Sequence, residues 1–219
     1  MAPRHALRNA PAFLATALVS AALWIPAGAS TPGGSEAAFG PLAGPAAVLD
    51  EPACTPVDRM PVSGRASPYD SVHVTLAGGI IKICYGSPAL RGRTMLGGGE
   101  VPFGQLWRFG ANEPTTLHTS VPLSVGGVRF PPGSVTLYAI PGADEWEIFI
   151  SRSTTHWGLR ITPEVRAQEI GSFRVVPEVL DEPVESMTFR FEDPGTRSAA
   201  LVMEWQTTRL AIPVTVTGG

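Results

Sequence analysis

The sequence predicts an all-β fold, an antiparallel β-sandwich of the jelly-roll-like or immunoglobulin-like kind with few short helical turns. Three observations predict it. After about residue 70, apolar residues recur with period two, the spacing of strands with one buried face. Glycine and proline, 24 and 22 of 219 residues, fall mostly between those runs, where they punctuate turns. Helical periodicity is confined to two short stretches. Many short strands with Gly/Pro turns favour antiparallel sheets packed face to face.

The chain opens with a segment that is not part of that fold. Arg4, His5 and Arg8 make a positive start, residues 12–25 are apolar, and Ala27-Gly28-Ala29 is a small-residue cleavage site before Ser30. This layout predicts a secretory signal peptide over residues 1–29. Its apolar run is shorter than the ~20 residues of a spanning helix, and no later run is long enough to span. Residues 30–53, rich in Gly, Pro and Ala, read as a flexible tether, and residues 54–219 as a single β-sandwich domain with its own core. Cleavage removes two arginines and no acid, so the formal net charge goes from −3 to −5. That balance argues against nucleic acid as a partner, which selects a basic surface. The expected location is periplasmic or secreted. Such a compartment oxidises thiols, so Cys54 and Cys84 are a candidate disulfide, with two buried free thiols as the alternative.

The strands follow in order. Val72, Val74 and Leu76 share one face, with His73 and Thr75 on the other. Ile81, Ile83 and Tyr85 continue the pattern. Ser124 to Phe130 reads as a hairpin about Gly126-Gly127, a dipeptide suited to the positive φ of a tight turn. Val135, Leu137 and Ala139 predict the next strand, then Trp146, Ile148 and Ile150. Phe173 to Val176 follows, then Met187, Phe189 and Phe191. Leu201, Met203 and Trp205 form a further strand, and Leu210 to Val216 the last. Pro213 removes a backbone donor and predicts an edge position for it. Short helical turns are expected at Pro163 to Glu169, after a Thr162 cap, and near Phe103 between Glu100 and Trp107.

Residues Tyr85 to Thr116 concentrate arginine, tryptophan, an amide and a carboxylate among glycines and prolines. Loops displayed on a rigid scaffold carry function more often than strands do. Asn112 is the single asparagine beyond the leader. The candidate binding residues are Tyr85, Arg93, Trp107, Arg108, Asn112, Glu113 and His118. Two readings stay open. In a pocket, arginine forks hold an anion, Asn112 offers donor and acceptor, and Trp107 and Tyr85 give flat faces. In a loop clamp, the same groups satisfy buried backbone carbonyls, and Glu113 pairs with an arginine.

Familiar catalytic signatures are missing: no Gly-x-Ser-x-Gly, His-Glu-x-x-His, Gly-x-x-x-x-Gly-Lys or Ser-x-x-Lys. His73, His118 and His156 are not paired at ligand spacing, so neither a metal nor a cofactor is expected. The functional expectation is a ligand-binding or interaction module whose partner is a small molecule, a glycan or a protein. The alternative is a hydrolase-like enzyme with Glu113 as acid or base and His118 carrying the proton.

A resemblance rests on Ser67-Pro68, Tyr85-Gly86, Arg91-Gly92-Arg93, Trp107-Arg108, Gly110-Ala111-Asn112-Glu113, Pro132-Gly133-Ser134, Leu137-Tyr138 and Trp146. Leu201-Val202-Met203-Glu204-Trp205 and Ile212-Pro213-Val214 extend it. In this order they resemble the bacterial exported domain-of-unknown-function family DUF2911 over roughly residues 60–216. The resemblance implies an exported β-rich domain and brings no assigned activity. Ser87, Phe109, Ser151 and the pair Leu159-Arg160 depart from that family's pattern, at positions able to line a site.

Overall fold

The computed structural model describes residues 50–57 and 60–218. The expected signal peptide and most of the expected tether lie outside the described residues. The chain forms two antiparallel sheets packed face to face, as its alternating pattern predicts. Among the described residues there are ten strands: β1 (Tyr69–Leu76), β2 (Gly79–Gly86), β3 (Thr115–Thr119), β4 (Leu123–Val125), β5 (Val128–Phe130), β6 (Gly133–Ile140), β7 (Trp146–Ser151), β8 (Glu169–Val175), β9 (Glu178–Glu192) and β10 (Ser198–Val216). One sheet has the order β1-β2-β3-β6-β7-β8 and the other β5-β4-β10-β9.

The alternation sets what each sheet buries. Ile81, Ile83, Leu117, Leu137, Ile148 and Ile150 are buried from the larger sheet, and Leu201, Met203, Trp205, Ile212 and Val214 from the smaller. Together they make one core between the sheets. The strand β2 is buried along its whole length. Its outward residues are covered by the segment before β1: Cys54 is bonded to Cys84, with Cα atoms 5.8 Å apart, and Glu51 reaches Lys82 at 2.8 Å. A second, smaller cluster of Tyr138, Phe149 and Val165 lies apart from the main core, with Leu106, Ile140 and Ile161 against it.

The hairpin about Gly126-Gly127 forms as expected, both residues at positive φ (56° and 90°). Five features differ from the expectations. The strand β3, Thr-Thr-Leu-His-Thr, carries one strongly apolar residue, too few to show periodicity, yet it is fully buried in the middle of the larger sheet. The last two expected strands are one, β10, whose ladder with β9 shifts register on either side of Gln206 at φ 54°. Pro213 is not on an edge strand in the sheet order. It lies one residue past the terminal Val214–Val125 pair, its carbonyl accepts the Gly126 N–H at 2.9 Å, and the bond it cannot donate falls at the ladder's end. The helix α1 covers only Pro163–Arg166, with Thr162 as N-cap residue but without a side-chain capping bond, because β8 begins at Glu169. Between Glu100 and Trp107 the chain makes a turn and bends but no helix.

Candidate functional site

The chain segment between β2 and β3 is organised by two backbone anchors on β6. Thr115 of β3 pairs with Leu137. Eight residues earlier in the chain, Trp107 exchanges both backbone bonds with Ala139 (2.7 and 2.8 Å). Residues 108–114 are therefore an excursion that leaves the sheet at Trp107 and re-enters it at Thr115. The bend uses positive φ at Phe109 (56°) and Asn112 (62°). Such values are rare for a bulky side chain and tolerated by asparagine. The Phe109 carbonyl is held by the Thr115 hydroxyl at 2.7 Å.

Two of the candidate residues hold this loop, and a third holds a neighbouring turn. Glu113, 1% exposed, accepts a bond from Arg65 Nη1 at 2.6 Å, and the Arg65 side chain is 4% exposed. Arg65 also donates to the carbonyls of Pro61 and Met60. Asn112 Nδ2 donates to the Ser67 carbonyl at 3.4 Å. Arg93 folds back on its own turn, donating to the carbonyls of Leu90 and Ala89, with a long 3.9 Å contact to Glu100. Glu113 and Arg93 thus have different partners. The clamp reading describes Asn112, Glu113 and Arg93.

The aromatic candidates are core. Tyr85 meets Phe189 edge-on, and its hydroxyl accepts the Phe189 N–H at 3.2 Å. Burial pushes the Tyr85 phenol up to about 12. Trp107 stacks on Trp205 with centroids 5.7 Å apart and lies edge-to-face against Phe109 and Trp146. Its ring faces are used inside the protein. His118 is on β3, opposite Lys82 and Ser134, with Nδ1 2.7 Å from the Ser134 hydroxyl. Burial holds its imidazole below the ordinary histidine value, and the Lys82 charge adds to that. Glu113 is committed to Arg65 and His118 to Ser134, so the acid/base pair of a hydrolase is not assembled at the loop.

Arg108 alone among the candidates has no such duty. Its Nε is buried without a hydrogen-bond partner, and among the described residues its guanidinium makes no hydrogen bond or ion pair. Burial lowers its pKa, and the Glu100 charge works the other way. It lines a cleft of about 370 Å³ with Glu100, Val101, Leu106, Gly158 and Leu159. An adjoining recess of about 240 Å³ shares Glu100, Val101, Trp107, Arg108 and Leu159 and adds Trp205. Trp205 Nε1 is a second buried donor without a partner.

Two further contacts shape the cleft. Gln206, the bulge residue of β10, accepts the N–H groups of Met95 and Leu96 and so fixes one wall (2.9 and 3.2 Å). Gly158 fixes the other. A Cβ there would stand 2.5 Å from the Asn112 carbonyl and 2.8 Å from Arg108 Cδ, so only glycine lets the 158–161 segment settle on the loop.

Sequence reasoning missed Arg65, Glu100, Gln206 and Trp205. Arg65, Gln206 and Trp205 act through partners tens of residues away, whereas Glu100 stands seven residues from Arg93 and eight from Arg108. The one local signal was the Gly97-Gly98-Gly99 run beside Glu100. Among the described residues no group of three or more His, Cys, Asp or Glu side chains could hold a metal ion.

No curated protein and no solved structure matches the chain. A family described as a protein of unknown function (DUF2911) matches residues 67–214, a span holding both sheets, the clamped loop and the cleft beside Arg108, and the chain belongs to that family.

Proposed function

We propose that this chain is an exported ligand-binding module whose ligand sits in the cleft beside Arg108. One observation carries the reading: a half-buried arginine that lines a cleft, with its Nε buried and no hydrogen-bond or ion-pair partner among the described residues. A buried cation is costly unless it is paired. Among the described residues the buried cations Arg65 and Lys82 meet that rule, each with a carboxylate within hydrogen-bond distance. At Arg108 the missing partner is best supplied by a ligand. The disulfide is compatible with export, and no helix among the described residues is long and apolar enough to cross a membrane. The loop clamp then serves the site indirectly, because it fixes the backbone from which Arg108 projects.

The test is thermal unfolding of the wild type and Arg108→Met across a small-molecule library. Methionine keeps the aliphatic packing against Gly158 and removes the charge. Without ligand the variant should be at least as stable, by up to about 1 kcal/mol, since an unpaired buried charge is gone. Compounds that raise the wild-type melting temperature should leave the variant unmoved. A variant that melts well below the wild type, with ligand responses intact, would make Arg108 a structural residue and remove the reading.

A further inference from the structure

Resting on that reading, we propose that the ligand is a small aliphatic carboxylate bearing an amino or hydroxyl group, its carboxylate on Arg108 and its donor on Glu100. The lining of the cleft decides between anion classes. Its charged side chains are one arginine and one glutamate. A phosphate dianion is normally met by several cations or by a cradle of backbone N–H groups. Here it would face a single guanidinium with a carboxylate beside it. A carboxylate carries one charge and matches the planar fork of an arginine.

Glu100 supplies the second requirement. Its side chain is 66% exposed, and its ion pair with Arg93 is long at 3.9 Å. An ionised carboxylate only accepts hydrogen bonds, so the group opposite it must donate. An ammonium or a hydroxyl fits, and a second acid does not. Gln105 adds one neutral polar side chain to the lining, and Val101, Pro102, Leu106, Leu159 and Ile161 give it an aliphatic part that suits an aliphatic body. The volume, about 370 Å³, is near the lower end of the roughly 300–1,000 Å³ of small-molecule sites. A sugar is disfavoured, because the faces of Trp107 that would stack on it are packed inside the protein.

Isothermal titration of the disulfide-bonded protein tests this with five probes: L-leucine, 2-hydroxy-4-methylpentanoate, 4-methylpentanoate, inorganic phosphate and glucose. Leucine or its hydroxy analogue should bind most tightly. Arg108→Met should weaken that binding roughly 10- to 100-fold, the range for losing a charged hydrogen bond. Glu100→Gln should weaken leucine and leave 4-methylpentanoate unchanged. If phosphate or glucose binds through Arg108 and no carboxylate does, the carboxylate class is overturned and the cleft reading stands. If the carboxylates bind wild type and Arg108→Met equally, both are overturned. If none of the five binds, the carboxylate class is overturned, and the cleft is judged by the melting comparison of Arg108→Met.

Discussion

Glu113 and Arg65 lie 48 residues apart in the chain and meet at 2.6 Å with both side chains almost wholly buried. Taking two charges out of water is repaid only while both are present. Glu113→Gln or Arg65→Met should therefore cost about 3–5 kcal/mol, read as a lowered urea midpoint. Little loss in either would mean that the pair is not formed in solution. Asn112 is different in kind. Its one side-chain bond is long, 3.4 Å, while its backbone is left-handed at φ 62°. Asn112→Gly should be close to neutral and Asn112→Ala should cost about 1 kcal/mol, because alanine resists that conformation. An equal loss in both would assign the role to the amide group instead. These cases show how far the site could be read. The loop from Tyr85 to Thr116 stood out because its residue types are unusual there. Which of them clamp and which line a cleft depended on Arg65, 48 residues from Glu113 with no local pattern to mark it, and on Glu100, marked only by the glycine run beside it.

Among the elements, β2 and its neighbour β3 each carry a feature that a cooperative sheet should transmit. The Cys54–Cys84 bond closes a sequence separation of 30 residues over its outer face. Replacing both cysteines by serine should lower the unfolding free energy by roughly 3–4 kcal/mol in the chain-entropy model. The native protein should take up no thiol label when denatured without reductant. The neighbouring strand β3 brings a pH dependence. His118 is held below its usual value of 6.5 by burial, with the Lys82 charge adding, and His156 is also lowered, by burial. Both imidazoles are therefore harder to protonate in the fold than in the unfolded chain. The stability they contribute is complete above the ordinary histidine value and is lost as pH falls through it. The urea midpoint should drop between about pH 7.5 and about pH 5.5, and His118→Gln should flatten that drop. A midpoint unchanged over that range would contradict the burial of these rings.

At the scale of the whole molecule, the sandwich was legible because most of its strands bury one face. Val72 to Leu76, Ile81 to Tyr85, Val135 to Ala139 and Leu201 to Trp205 alternate as that requires. The pattern fails where the physics changes. Strand β3 is buried on both faces, its neighbours supply the apolar surface, and threonine suffices. Strand β10 runs on through Gln206 because a bulge lets one strand serve β9 first and β4 later. Among the described residues, six of the eight strand pairs join consecutive strands, and two, β3 with β6 and β4 with β10, join strands distant in the chain. A single sequence holds no trace of such neighbours. The Gly126-Gly127 turn was readable because adjacent residues alone dictate it.

Gly158 and Leu159 are neighbours under opposite constraints. The first has no room for a methyl group, while the second is 68% exposed at the mouth of the cleft. Selection can therefore work on them separately. A change at Leu159 alters what the mouth admits at almost no cost to folding, whereas a change at Gly158 forces the two loops apart. The mouth of the cleft can thus vary at one solvent-facing position with the sheets, clamp and disulfide left as they are.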